Sequence, residues 1–234
     1  MLKKIAARLF RKTVTRDNYA RTSYAQCGED LIIEHIFNQL NIPQPSYIDI
    51  GAHHPRYLNN TYLFYLKGSR GINIEPDPDL IAKFTAMRPE DHNLNVGVGE
   101  ADGEADFYLM TEPTLNTFIK EEAENARKVS EHYKVREVKK LKVRTVAGIL
   151  KEFAGGRFPD LLSIDVEGLD EQILRSFNYN EQSPVVLCVE TISFSPQGAA
   201  EKKTGLIEFL KAQGYFVYAD TYINTIFVKT EKWK

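Results

Sequence analysis

Short runs of apolar and β-branched residues alternate along this chain with segments of helical spacing, and each run stops at a glycine, a proline or an acidic residue. That alternation is the mark of a parallel sheet. Strands covered on both faces read as continuous apolar runs, and each parallel crossover needs a dozen or more residues, usually a helix. The predicted strands are Tyr47–Ile50, 71–75, 93–98, 161–165 and 184–190. Helical spacing covers 29–40, 58–67, 78–87, 146–154, 169–177 and 200–212. Two last runs, 215–219 and 225–229, are joined by too few residues for a crossover helix, so they should pair antiparallel. The expected fold class is α/β, a mostly parallel sheet with helices on both faces and an antiparallel terminal hairpin.

Sheets of this kind bind ligands outside the carboxyl ends of their strands, where the strand order reverses. The informative residues are therefore those that follow Ile50, Ile74, Val96, Ile164 and Val189. Asp49 and Gly51 come first, with Ala52 and His53 behind them. The glycine permits a tight turn and a close approach to a ligand, and the carboxylate accepts from a cationic or hydroxylic group. A dinucleotide site would want G-x-G-x-x-G, but His53 and Arg56 stand at its later positions. A pyrophosphate would also sit poorly beside Asp49. An ammonium-bearing ligand without phosphate, such as S-adenosylmethionine, fits better.

Glu75 lies 24 positions beyond Gly51, before Pro76, where a carboxylate can accept both ribose hydroxyls. Val96 and Gly97 offer an apolar surface and a bare backbone to an adenine ring. Asp165 and Glu167, two apart in extended chain, point the same way, and Glu190 ends the neighbouring strand. Such carboxylates want a proton, a divalent cation, a cationic ligand or a lysine, so Asp165, Glu167 and Glu190 are the candidate metal ligands. Asp165, Glu190 and His54 are the candidate catalytic groups.

Composition excludes other classes. A net charge of −2 over 234 residues gives no general pull toward nucleic acid or anionic membrane. No stretch approaches the ~20 apolar residues of a membrane span. Cys27 and Cys188 are too few for a disulfide framework, and both are expected to be reduced in a cytoplasmic protein. Residues 1–22 form a basic leader, at most a weak membrane-surface contact, and 23–234 form the domain. Residues 103–140 interrupt the alternation, with a strand over 105–109, helix-prone sequence over 117–133 and a strand over 139–144. That insertion is the expected lid or substrate cap. No feature specifies an oligomeric state.

Four segments together resemble the FkbM family of S-adenosylmethionine-dependent methyltransferases across roughly residues 23–229. They are Ser23-Tyr24-Ala25-Gln26-Cys27-Gly28-Glu29-Asp30, Tyr47-Ile48-Asp49-Ile50-Gly51-Ala52, Gly71-Ile72-Asn73-Ile74-Glu75-Pro76 and Ser163-Ile164-Asp165-Val166-Glu167-Gly168. The resemblance implies a class I methyltransferase fold, Rossmann-like, with seven core strands. It also implies O-methylation of a hydroxyl on a sugar, a polysaccharide precursor or a similar natural product. Asp49, Gly51 and Glu75 would hold the cofactor, with Val96 and Gly97 near adenine. The Gln26 to Asp30 segment, Glu29 included, would pack over the cofactor, and Asp165 would face the transferred methyl. After Ala52 the chain departs from the common family pattern, with His53, His54 and Pro55 where members often carry Asn, another residue and Gly. The competing readings are a nicotinamide-dependent oxidoreductase and a non-catalytic cofactor-binding module.

Overall fold

A computed structural model describes residues 19–166, 168–193 and 201–233. In chain order the elements are α1 (Glu29–Gln39), β1 (Tyr47–Ile50), α2 (Tyr62–Leu66), β2 (Gly71–Ile74), α3 (Pro78–Met87), β3 (His92–Leu94) and β4 (Gly97–Val98). Then come β5 (Gly103–Met110), α4 (Lys120–Val129), β6 (Val135–Arg144), α5 (Val146–Phe153), β7 (Leu161–Ile164) and α6 (Asp170–Arg175). The chain closes with β8 (Val186–Glu190), β9 (Ile192–Ser193), β10 (Glu201–Lys202), α7 (Thr204–Ala212), β11 (Tyr215–Asp220) and β12 (Asn224–Lys229).

Seven strands form one sheet in the order β11-β12-β8-β7-β1-β2-β3. The pairs from β8 to β3 are parallel, and β12 is antiparallel to both β8 and β11. This is the mostly parallel α/β sheet with an antiparallel terminal hairpin expected from the sequence. β1, β7 and the first four residues of β8 are buried throughout, as strands covered on both faces must be. Their side chains divide between two cores with a period of two. Ile48, Ile50, Leu162, Ile164, Leu187 and Val189 pack toward α5, α6 and α7. Tyr47, Leu161, Val186 and Cys188 face the other way, against Ile33, Ile36 and Phe37 of α1 and Phe64 of α2. Each fully buried aliphatic side chain contributes about 1.5–3 kcal/mol, so a one-residue slip of register would forfeit both cores at once.

Local chemistry sets the helix starts. Pro78 opens α3, and the Asp77 carboxylate caps it by accepting from the Asp79 N–H at 2.9 Å. Thr145 caps α5 by accepting from the Gly148 N–H at 3.1 Å.

The structure alters three expectations. The run 93–98 is not one strand. The Asn95 side chain donates to the carbonyls of Glu75 and Pro76 at 3.0 and 2.7 Å, and the chain turns there. β3 stays in the main sheet, while β4 joins β6 and β5 in a separate three-stranded sheet. That second sheet, with α4, is the insertion, and its central strand is longer than the 139–144 run. The helix expected over 58–67 is cut to α2, because Leu58 takes a left-handed φ of 53° and Asn59 is drawn into hydrogen bonds. The helix expected over 200–212 begins at Thr204, after β10 pairs with β9. Most of the basic leader, residues 1–18, lies outside the described residues, as does Glu167. No helix among the described residues is long and apolar enough to cross a membrane.

Candidate active site

Register builds the site. Ile50 stands opposite Ile74 on one side and Ile164 on the other, and Ile164 stands opposite Val189. The next residues, Gly51, Glu75, Asp165 and Glu190, therefore emerge at one level on the carboxyl edge. The chain leaves β1 toward β2 on one flank and later returns through β7 on the other, so this edge is the switch point. A cleft of about 430 Å³ opens there. Gln26, Asp49, Gly51, Ala52, His53, Glu75, Pro76, Val96, Gly97, Asp165 and Glu190 all line it. Glu29 and His54 do not.

Gly51 is required for a reason the sequence did not disclose. Its φ is +76°, and a Cβ there would fall 1.8 Å from the carbonyl oxygen of Asp165. The close approach seen here is between two strand-end loops. Gly97 is similar, since a Cβ would meet the Phe118 ring at 2.4 Å. Phe118 comes from the insertion and packs on Phe107 with ring centroids 4.6 Å apart. It lines the cleft together with Leu115 and Asn116, so the insertion supplies part of the cleft wall. Asn116 ties that wall down by donating to the Asp77 carboxylate at 3.0 Å.

Asp49 and Glu75 share this cleft. Asp49 is buried, and its Oδ2 accepts from Asn59 Nδ2 at 3.1 Å and Thr61 Oγ1 at 2.9 Å. Burial pushes its carboxyl up, against the pull of the Arg88 charge and hydrogen bonds from Thr61, Ser163 and Asn59. Glu75 is only 5% exposed. Burial lifts its carboxyl to about 8, despite backbone N–H donors from Asp77 and His53 at 2.7 and 2.8 Å.

The other end of the cleft is acidic. Carboxylate oxygens of Asp165, Asp170 and Glu190 lie within 4.8 Å of one another. Asp170 was missed in the sequence because it reads as an ordinary first-turn helix residue, yet it is fully buried and accepts from the Val166 N–H. Lys203 Nζ reaches Glu190 at 3.1 Å and Asp170 at 3.4 Å. A lysine is thus the counter-charge to two of these groups. Burial raises Glu190 to about 6, the Asp170 charge adds to that, and Lys203 opposes it. Burial alone would depress Lys203, but the two carboxylates raise it.

Glu29 and His54 make contacts away from the cleft lining. Glu29 braces the hairpin turn: Thr221 Oγ1 and Asn224 Nδ2 donate to its Oε1 at 2.7 and 3.1 Å, and the Cys27 N–H donates to Oε2 at 2.7 Å. His54 Nδ1 accepts the N–H groups of Arg56 and Tyr57 at 3.2 and 3.0 Å, so it caps its own turn. His53 lines the cleft with a left-handed φ of 54°, and burial lowers its imidazole. Cys188 is buried, and its thiol is pushed up by burial, as an inert core cysteine should be.

A doubly wound sheet with carboxylates on adjacent strands at its switch-point cleft is a ligand-binding arrangement of the Rossmann-like type. Comparison with known proteins narrows this. The family model described as the Methyltransferase FkbM domain matches residues 49–217, well over half of the chain, and the chain belongs to that family. Among solved structures, the chain is similar to a methyltransferase FkbM from Methylobacillus flagellatus KT, at 14% identity and a TM-score of 0.43. The alignment covers 92% of this chain and 46% of that one, so this chain spans under half the length of that relative. A search of curated proteins returned no match.

Proposed function

We propose that this chain is an S-adenosylmethionine-dependent methyltransferase that acts on a hydroxyl of a sugar, a polysaccharide precursor or a similar small molecule. The observation that carries the reading is the meeting of Asp49 and Glu75 in one cleft of about 430 Å³, within the usual range for a small-molecule site. The residues fit the cofactor's parts. Asp49 presents a carboxylate for an ammonium, Glu75 retains free lone pairs for two hydroxyls, and Phe118 with Val96 offers apolar surface for a flat ring. S-adenosylmethionine supplies an electrophilic methyl group when bound.

The acidic end receives the acceptor. Glu190, poised at about 6, is ionised at neutral pH and suited to take a hydroxyl proton. Asp165 lines the same stretch and orients the acceptor oxygen, so the site works chiefly by proximity and alignment. His54 is committed to its turn and drops out of this scheme. Lys203 provides the positive charge that the carboxylates need, so no step is routed through a divalent cation. A net charge of −2 favours a small or glycan acceptor over nucleic acid. The exposed free thiol of Cys27 suits a reducing, cytoplasmic setting.

The test is transfer of a labelled methyl group from S-adenosylmethionine into sugars, nucleotide-sugars and oligosaccharides. Label in a hydroxyl-bearing acceptor supports the reading. Cofactor binding with no transfer across the panel would favour a non-catalytic module.

A further inference from the structure

Arg88 is the largest fully buried side chain among the described residues, at 0% exposure. Its Nε pairs with Asp91 at 2.8 Å. Asp91 has other donors: Tyr47 Oη at 2.6 Å, the Gly71 N–H at 2.9 Å and Asn73 Nδ2 at 3.0 Å. The outer nitrogens are engaged as well: Nη2 donates to Tyr47 Oη at 2.7 Å, and both reach toward the cleft. Nη1 donates to Asn59 Oδ1 at 3.2 Å, and Nη2 to Thr61 Oγ1 at 3.1 Å. Asn59 and Thr61 are the two side chains that hold Asp49 Oδ2.

A guanidinium can only donate. Whatever atom faces it must be an acceptor, and this fixes the polarity of both neighbours. Asn59 turns its oxygen to Arg88 and the Thr61 N–H, and its NH₂ to Asp49 and the Ala52 carbonyl. Thr61 receives on its oxygen, and its single hydroxyl proton faces Asp49 Oδ2 at 2.9 Å and Asn59 Oδ1 at 3.0 Å. The Phe84, Tyr47 and Tyr65 rings lie 5.2–5.3 Å from the guanidinium and hold its plane.

We propose that Arg88 is a positioning residue for the cofactor end of the cleft, orienting Asn59 and Thr61 and through them aiming the Asp49 carboxylate at the ligand's ammonium. The proposal rests on the methyltransferase reading of that cleft. Other ionisable groups also surround Asp49. Glu75 at the end of β2 feels its charge. Cys188 on β8 feels Asp49 together with Glu29, Asp30 and Asp165. Arg88 is the cation that opposes burial at Asp49.

The experiment is calorimetric titration of the full chain with S-adenosylhomocysteine at about pH 6 and about pH 8, for wild type, Arg88→Lys and Arg88→Met. Arg88→Lys keeps the charge but cannot reach both neighbours. Its affinity should fall about tenfold at both pH values, with the wild-type pH dependence retained. Arg88→Met loses donor and charge, so Asp49 holds its proton to higher pH. The affinity of this variant should therefore fall further at the lower pH than at the higher one. A merely structural arginine would lower the melting temperature and leave affinity and pH dependence alone, and that result overturns the proposal. Should Arg88→Met fail to fold, wild-type affinity in Arg88→Lys is sufficient to overturn it. No binding by the wild type would instead refute the methyltransferase reading itself.

Discussion

Replacing Glu75 with glutamine changes one oxygen to an NH₂ and leaves the shape of the side chain alone. Each carboxylate oxygen has two lone pairs. One on Oε2 accepts the His53 N–H and one on Oε1 the Asp77 N–H, which leaves one on each for a pair of ribose hydroxyls. In Glu75→Gln the amide nitrogen accepts nothing. One hydroxyl loses its partner, and one backbone N–H faces another donor. Above about pH 8, where the carboxylate is ionised, a hydrogen bond to a charged group contributes about 1.5–3 kcal/mol, so S-adenosylhomocysteine affinity should fall roughly 10- to 150-fold. The pH dependence carries more information. Burial lifts the carboxyl from 4.5 to about 8 in the folded protein. The fold therefore holds a proton that the unfolded chain releases, and ligand-free stability should decline as pH rises from about 4.5 to about 8. Ligand affinity should move the other way, rising through pH 8 as the carboxylate ionises. Both slopes should shrink in the glutamine variant. Titration calorimetry and thermal melts over this pH range measure them. Unchanged affinity in Glu75→Gln, or equal slopes in both proteins, would refute the ribose role.

Gly51→Ala should lose at least about 3 kcal/mol, since its Cβ collides with a backbone oxygen at positive φ. For a chain of this size that is roughly a 10 °C drop in melting temperature, and an unchanged melt would contradict the close approach. Lys203→Met removes the charge that holds Glu190 down. The acid limb of the pH–rate profile should shift upward by about one unit, and a limb that stays in place would remove Glu190 as the base. Dialysis against a chelator should leave turnover unchanged, because Lys203 already neutralises the acidic end. Loss of activity restored by a divalent ion would show that an ion competes with that lysine.

Strands were easiest to read in the sequence where burial on both faces leaves continuous apolar runs, as in β1, β2, β7 and β8. From them followed the sheet, its switch point and the level of Gly51, Glu75, Asp165 and Glu190. The expectation failed at 93–98, where a side-chain amide, not an apolar pattern, ends the strand. Periodicity carries no signal for such a hydrogen bond. The supporting polar residues were equally hidden. Arg88 and Asp91 look like surface charges after a helix, and Lys203 like one of many lysines. Only tertiary packing buries them against Asn59, Thr61, Asp170 and Glu190. Glu29 and His54 stood in suggestive positions, but distant side chains of the hairpin turn together with the Cys27 N–H engage Glu29, and local backbone donors engage His54. Phe118, the aromatic wall from the insertion, carried no motif that separates it from a core phenylalanine.

A crystal structure of the chain with S-adenosylhomocysteine tests the shared cleft most directly. The amino group should lie at the Asp49 carboxylate and the ribose at Glu75, with adenine against Phe118 and the sulfur facing Asp165 and Glu190. A ligand bound elsewhere, or in this cleft with its ribose and amino group away from those two carboxylates, would contradict it.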